Sequence, residues 1–389
     1  MKTQLSWLLI VAIWTANPMF VGAQVFRSGS TGAYGAIDVP SGTTRVLDLP
    51  ADGIFHCTTI RVVGTLRFNR NAMNTPVHLL ATGDVTLIGV IDVSGGRGSV
   101  AAPGLAGPGG FDGGAPGSIG ISAGDGQGPG GGKAGTTVDG DSEAAGAGYG
   151  TTTTQGPVAK RGSTYGSPLL FPMIGGSGGG GAEGTTGWGG GGGGGGLVIA
   201  SDTRVEFSAG ATLRSQGGSS LNSVVLNTGS GGGIRIIAPV VSGLGNIDVR
   251  GNNGGNGNGD GRIRIDTTDR SQLNVGFIPP EVASVGGLMV VFPDPLPRLD
   301  IIEVAGRAIA GDAPAQVLLP TGSPAAQTLR IRARDFGDVV PIRVVLTPDN
   351  GPSSSVEAQI DNGSANPAEA TVNVTFPINV LTHVHVFSR

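Results

Sequence analysis

A run of eight glycines, residues 189 to 196, leads directly into the apolar stretch 197–200. The run ends a longer segment, residues 95 to 196, which holds 41 of the chain's 74 glycines. Glycine loses more backbone freedom on folding than any other residue and has no side chain to bury. The segment is therefore either a flexible loop or a set of extended glycine strands whose backbones approach too closely for any side chain. The sequence leaves both alternatives open.

Five aromatic residues are spaced through this Gly-rich segment, and we expect them to pin it onto the rest of the protein. They are Phe111, Tyr149, Tyr165, Phe171 and Trp188. In either alternative, the eight final glycines would let the chain enter the following strand without steric demand.

Stretches on both sides of the Gly-rich segment share one repeated pattern. Each has an apolar strand ending in alanine, a second short strand, a glycine and a third strand before a Gly-rich corner. The full copies are residues 78–96, 197–218 and 234–255, with partial copies at 59–71 and 261–268. Repeats of about 20 residues with three short strands are typical of stacked parallel coils. The sequence thus predicts a parallel β-helix over residues 24–291, with 95–196 as an insertion at one corner.

The repeat also predicts a register. Ala81, Ala200 and Ala238 should stand in one column of neighbouring strands, because each ends the first strand of its copy. An antiparallel sandwich is the competing interpretation. It would need two-residue Asn-Gly or Asp-Gly hairpin turns, which the corners mostly lack.

The order of these stretches resembles a family of uncharacterised secreted bacterial proteins with Gly-rich repeats. The resemblance rests on "LDLPADGIFHCTTIRVV", "TPVHLLATGDVTLIGVIDVSGG", "GGGGGGGGLVIAS" and "GSGGGIRIIAP", and it extends to about residue 270. It implies a right-handed β-helix, and it brings no assigned activity and no catalytic residues.

A different sequence pattern begins after a short linker, residues 292–297. From residue 298 to 389 apolar and polar residues alternate, as in "EATVNVTFPI". This period of two is typical of half-buried antiparallel strands. Six or seven such strands predict an immunoglobulin-like β-sandwich.

The N-terminus predicts export. One positive charge, a short apolar run and small residues before Gln24 are typical of a signal peptide, residues 1–23. No later segment is long enough to be a transmembrane helix. The formal charge of −4 and the lack of Lys/Arg clusters argue against nucleic acid as a partner. Cys57 is the one cysteine, so no internal disulfide is expected.

Two repeat-encoded carboxylates are the best candidates for catalysis. Asp92 and Asp248 lie between apolar residues and should point outward, with Thr212 between them in the predicted column. Two strand spacings separate them by about 10 Å, a distance that suits an inverting glycosidase pair. Arg250 is the nearest basic helper. The expectation is nevertheless that both carboxylates are exposed, solvated and not catalytic.

Candidate metal ligands are weak. Asp260 follows a fragment that resembles a calcium-binding nonapeptide, but it is one position out of phase, and calcium needs six to eight oxygens. His383 and His385 share one strand face, as metal ligands do. With Val384 and Val386 towards the core, the two histidines are expected in solvent. No cofactor is therefore expected.

Two functions follow from these observations. The first is a secreted or cell-surface structural or adhesive protein without catalytic activity, with extracellular polysaccharide or other surface proteins as partners. The alternative is an extracellular polysaccharide lyase or hydrolase that uses Asp92, Asp248 and Arg250. The discriminating feature is whether an outward groove gathers carboxylates with a basic residue.

Overall fold

The structure is a computed structural model, and it describes residues 25–135, 144–220, 227–251, 259–311 and 314–388. The predicted signal peptide lies outside these residues. In the described ranges the chain forms twenty strands and two single 3-10 turns, Val158–Lys160 and Pro280–Val282. None of the helical turns described is long and apolar enough to cross a membrane. The all-β class is confirmed.

Thirteen strands form one sheet in which every pairing is parallel. These strands are β1 (Gly35–Val39), β2 (Thr44–Asp48), β3 (Ile54–Val62), β4 (Thr65–Asn69), β5 (Val77–Ala81), β6 (Val85–Leu87), β7 (Val90–Asp92), β8 (Gly196–Ser201), β9 (Arg204–Arg214), β10 (Gly233–Asp248), β11 (Arg262–Asp269), β12 (Leu273–Ile278) and β13 (Ala283–Gly286). Their alternating Val, Ile and Leu side chains point to one interior, for example Leu79, Ile199 and Ile236.

The pairings close on themselves through six strands. β10 pairs with β8 through its first half and with β9 through its second half. From β8 the pairings continue through β5, β3 and β6, and they return to β9. The result is a closed, six-stranded parallel barrel around a core of aliphatic side chains. The remaining strands pair with β3, β9 or β10 of the barrel or with one another.

The predicted fold class, a β-helix solenoid followed by an immunoglobulin-like domain, is therefore wrong. Residues 234–248 were expected to form three short strands of one coil, but they belong to a single 16-residue strand, β10. Glycines inside this stretch do not break it. At Gly243 the backbone runs so close to β9 that a Cβ would overlap the carbonyl oxygen of Phe207. Glycine here permits close strand approach instead of a corner.

The predicted parallel pairing of the repeat stretches is confirmed, but their register is wrong by one residue at one strand. Ala81 pairs with Ser201, while Ala200 pairs with Leu80 on one side and Ile237 on the other. A shift of one residue moves every side chain to the opposite face, so the buried aliphatic positions decide the register and not the terminal alanines.

The Gly-rich segment is ordered wherever the structure describes it. The N–H groups of residues 189–196 donate to three neighbouring segments in turn, at 2.8–3.0 Å. Every third N–H reaches the same neighbour, and the three neighbours are residues 93–99, 108–114 and 227–230. Three residues per turn is the period of polyproline II and of collagen chains. Of the two alternatives, the structure thus has close-packed extended glycine strands. We term the described residues of 95–196, together with residues 227–230, the glycine bundle.

Side chains do not fit inside the glycine bundle. A Cβ on Gly190, Gly191 or Gly193 would overlap a carbonyl oxygen of a neighbouring backbone. The close contacts between the glycine strands are therefore contacts between peptide groups, and the hydrogen bonds between these groups largely take the place of a hydrophobic core.

The five aromatic residues of the Gly-rich segment make different contacts, some within the glycine bundle and some with other parts of the protein. Tyr149 stacks at 4.5 Å on Tyr165, while Phe171 packs against the guanidinium of Arg235. Trp188 packs on two alanines of the bundle itself. Phe111 does not contact the parallel sheet in this way; its ring packs against side chains of the last strand of the chain.

The C-terminal part consists of two antiparallel sheets that share one hydrophobic core. The first contains β14 (Arg298–Val304), β15 (Arg307–Ala308), β16 (Ala326–Arg334) and β19 (Ala368–Thr375), and the second contains β17 (Val339–Pro348), β18 (Ser354–Asp361) and β20 (Thr382–Ser388). This sandwich-like arrangement agrees with the period-two pattern of the sequence.

A buried carboxylate attaches the C-terminal sheets to the glycine bundle. The side chain of Asp125 accepts hydrogen bonds from the N–H of Ser353 at 2.8 Å and from its hydroxyl at 2.9 Å. Lys133 bridges the same two residues through its ammonium group. Asp125 is 4% exposed, so its carboxylate is shielded from solvent, whereas the side chain of Lys133 is 44% exposed.

Candidate functional site

The predicted catalytic carboxylates lie on a column of charged side chains across the parallel sheet. Arg67 pairs with Asp92, Asp92 with Arg214, and Arg214 with Asp248. The residues just before them, such as Ile91, are buried in the barrel core. Because successive side chains of a strand alternate between faces, the four charges point away from that core. We term this column the charge ladder.

Asp92 is held by Arg67 from the neighbouring strand. One oxygen accepts a hydrogen bond from the guanidinium at 2.8 Å, and the other accepts the N–H of Ser94 at 3.1 Å. The carboxylate is only 13% exposed, whereas the arginine is 56% exposed. The arginine therefore covers the carboxylate on the solvent side.

Asp248 is held more completely. Arg250 donates a hydrogen bond to each of its oxygens, from Nε at 3.0 Å and from Nη2 at 2.7 Å. Gln216 donates a third side-chain hydrogen bond at 2.7 Å. The hydrogen bonds that Arg250 donates to Asp248, together with the charge of that carboxylate, raise the pKa of the Arg250 guanidinium. Such a bidentate pair is both strong and fixed in direction.

The structure thus corrects two expectations about these carboxylates. Asp248 is buried and Asp92 is mostly covered, whereas both were expected to be well exposed. The residue between them is Arg214, and Thr212 pairs instead with Val90. The cause is a local irregularity, in which β9 carries two more residues than β10 between two paired positions.

Asp260, the weak calcium candidate, does not lie in a solvated corner. It is fully buried, and its carboxylate accepts the N–H of Gly251 at 3.1 Å and the hydroxyl of Thr151 at 3.4 Å. Most of the glycine-asparagine stretch before it, residues 252–258, lies outside the described residues. In the part of the chain that is described, Asp260 joins the corner after β10 to the glycine bundle.

Of the two C-terminal histidines, which were expected in solvent, only His385 is covered. The side chain of His383 is 40% exposed, and its Nε2 lies 3.2 Å from the carboxylate of Asp349. Val384 and Val386 pack against the C-terminal core as expected. The opposite face is covered by the glycine bundle, where the His385 ring meets Phe111 edge-on at 5.3 Å. Burial lowers the pKa of His385 to about 4. The described residues include no group of three or more His, Cys, Asp or Glu side chains that could hold a metal ion.

Sequence reasoning missed a buried ion cluster at the barrel wall. Asp266, fully buried, accepts hydrogen bonds from Arg235 at 3.0 and 3.1 Å and from Arg264 at 2.6 and 2.9 Å. The alternation in "GRIRID" places these charges beside apolar residues, but it does not reveal that the segment after β13 covers them. Leu288 belongs to that segment, and its backbone carbonyl accepts a further bond from Arg235.

Comparison of the chain with known protein families, with curated proteins and with solved structures finds no match in any of the three.

Proposed function

We propose that the protein is a secreted or cell-surface structural or adhesive protein without catalytic activity. The resemblance to secreted Gly-rich bacterial proteins and the signal-peptide pattern support the location. The observation that carries the proposal is the state of the two candidate carboxylates. Each is already bound by an arginine, and their oxygens face protein donors.

A glycosidase or lyase needs one carboxyl or basic group that can give or take a proton at the substrate. Asp248 uses both oxygens on Arg250 and Gln216. Its side chain is only 7% exposed. The contacts of these carboxylates with neighbouring strands, the ion pair of Asp92 with Arg67 and the hydrogen bond from Gln216 to Asp248, are better suited to holding those strands in register. Opposite charges at neighbouring positions of a sheet stabilise the pairing by roughly 0.2–1 kcal/mol each.

The glycine bundle supports the structural role. It is hydrogen-bonded to the parallel sheet at Gly233, the first residue of β10, and to the C-terminal sheets through Asp125. A protein that presents a surface to another cell or polymer benefits from such a firmly joined scaffold.

The test is a binding and degradation assay on the same polymers. The chain without residues 1–23 is incubated with polygalacturonate, alginate, cellulose and chitin, and both retained protein and released reducing ends are measured. We expect retention on at least one polymer and no release of product. Release of product by the wild type that is lost in Asp92→Asn or Asp248→Asn would overturn the proposal in favour of the lyase or hydrolase alternative. Arg343→Gln, which alters an exposed ion pair on the C-terminal sheet, is the matched control.

A further inference from the structure

A cavity of about 170 Å³ lies where the parallel sheet, the glycine bundle and the C-terminal sheets meet. We term it the junction pocket. The side chains that matter for its chemistry are Arg70, Asn74, Phe111, Asp112, Gln127 and His385. They come from the loop after β4, from the glycine bundle and from β20, so the cavity exists only when all three parts are docked.

The junction pocket contains polar atoms that the protein itself does not use. Asp112 binds Arg70 and the N–H of Ala106 through one oxygen, Oδ1, at 2.7 Å in each case. Among the described residues, no donor is bonded to its other oxygen, and none is bonded to the side-chain amide of Gln127. Asn74, by contrast, is satisfied by the backbone at Gly109 and Gly110. The pocket therefore offers a carboxylate acceptor and an amide that both donates and accepts.

The pocket has no net charge to attract an ion. The guanidinium of Arg70 is neutralised by Asp112. The imidazole of His385 is neutral at neutral pH, because burial lowers its pKa to about 4. The ring of Phe111 forms an apolar wall beside the polar groups, and the buried Nδ1 of His385 has no hydrogen-bond partner among the described residues.

These features together select a ligand class. A hydroxyl group donates and accepts a hydrogen bond at once, so a polyhydroxylated ring matches a mixed wall of carboxylate, guanidinium and amide groups. Drug-sized molecules occupy pockets of roughly 300–1,000 Å³, so this smaller cavity holds a single small ring. The unused oxygen of Asp112 disfavours a second carboxylate and hence uronic acids.

We propose that the junction pocket binds one neutral sugar residue, such as the end of an extracellular polysaccharide chain. The inference rests on the proposed adhesive function and deepens it, since it names the class of ligand and the place where that ligand is held. It also gives the docking of the three parts a role, because each of them supplies residues that line the pocket.

The experiment uses the full chain without residues 1–23. Saturation-transfer NMR and calorimetry measure binding of glucose, galactose, mannose and N-acetylglucosamine, with glucuronate and galacturonate as charged probes. We expect saturable binding of at least one neutral sugar and at least tenfold weaker binding in Gln127→Ala. Because no hydrogen bond of the protein depends on that amide, the thermal midpoint of this variant should stay unchanged. Gln359→Ala, an exposed glutamine on β18, is the control and should bind as the wild type does.

Three results would overturn the proposal that the junction pocket binds a neutral sugar. They are no binding of any neutral sugar, equal binding by Gln127→Ala and the wild type, and a preference for the uronates. The same variants are tested for retention on the insoluble polymers. If retention is intact in Gln127→Ala, the protein is adhesive but holds its polymer elsewhere. That result would refute the proposed role of the pocket and leave the adhesive function standing. If the wild type is not retained and binds no sugar, the adhesive function falls as well.

Discussion

Because the strands of the glycine bundle are so closely packed, we expect that adding a single methyl group at Gly193 severely destabilises the folded protein. The N–H of Gly193 donates to the carbonyl of Phe111, and its own carbonyl accepts the N–H of Gly107, both at 2.9 Å. A Cβ there would overlap the carbonyl oxygen of Gly176. Overpacking of a rigid interior costs about 1–3 kcal/mol. Displacing the strand also weakens two hydrogen bonds that are worth about 1 kcal/mol each.

We therefore expect Gly193→Ala to lower the free energy of unfolding by about 3–5 kcal/mol. The matched control is Gly287→Ala, because a Cβ there meets only the carbonyl oxygen of Thr267 at 4.0 Å. That variant should be neutral or more stable by about 0.4–1 kcal/mol, since alanine restricts the unfolded chain.

Urea unfolding followed by tryptophan fluorescence measures this difference in the bundle itself. Trp188 is the one tryptophan that remains once residues 1–23 are removed. It also packs within the bundle, against Ala144 and Ala182. If Gly193→Ala unfolded within about 1 kcal/mol of Gly287→Ala, the close packing of backbones would not be what requires glycine here, and the reasoning would be refuted.

Three further predictions concern charged and titratable groups. Burial holds the pKa of His385 near 4, below its usual value, so the unfolded chain binds more protons and stability should fall as the pH drops from about 6.5 to 4. The buried His78, whose pKa is also lowered to about 4, contributes in the same direction. His385→Phe should therefore remove part of that fall in thermal midpoints measured across this range. Asp266→Ala leaves Arg235 buried without its carboxylate and should cost about 3–5 kcal/mol in urea unfolding, whereas the double replacement with Arg235→Met should recover part of the loss. Asp125→Ala removes the acceptor of the Ser353 N–H and should cost about 1–3 kcal/mol, seen as faster proteolytic release of the C-terminal sheets; cleavage as slow as in the wild type would contradict its role as a tether.

The sequence allowed the strand-forming regions to be predicted better than their connections. Apolar alternation identified the face of Asp92 and Asp248, because the residues beside them, such as Ile91 and Ile247, are buried in the core. It could not identify Arg214 as the residue between them, since only the paired strand reveals the extra residues. Glycine at position 243 was equally ambiguous, because a corner and a close approach of two strands both require it.

The candidate sites were predictable to different degrees. Both carboxylates of the charge ladder could be proposed from the repeat. Arg250, the partner of Asp248, could be proposed as well, because it lies two residues further along the chain. Arg67, the partner of Asp92, could not, because it lies one strand away. The junction pocket could not be predicted at all. Its residues Arg70, Gln127 and His385 lie in three parts of the chain, and only the docking of those parts brings them together.

An interior made of peptide groups has a thermodynamic consequence for how the protein responds to temperature. Unfolding an apolar core raises the heat capacity by about 0.45 cal/K/mol per Å² exposed, whereas exposing polar surface lowers it by about 0.26 cal/K/mol per Å². Opening the glycine bundle exposes mainly amides, so its share of the heat-capacity change is small or negative. The stability curve of the whole chain should then be flatter than that of an ordinary β protein of equal length. Such a protein would lose little stability in the cold, where domains held by apolar burial weaken.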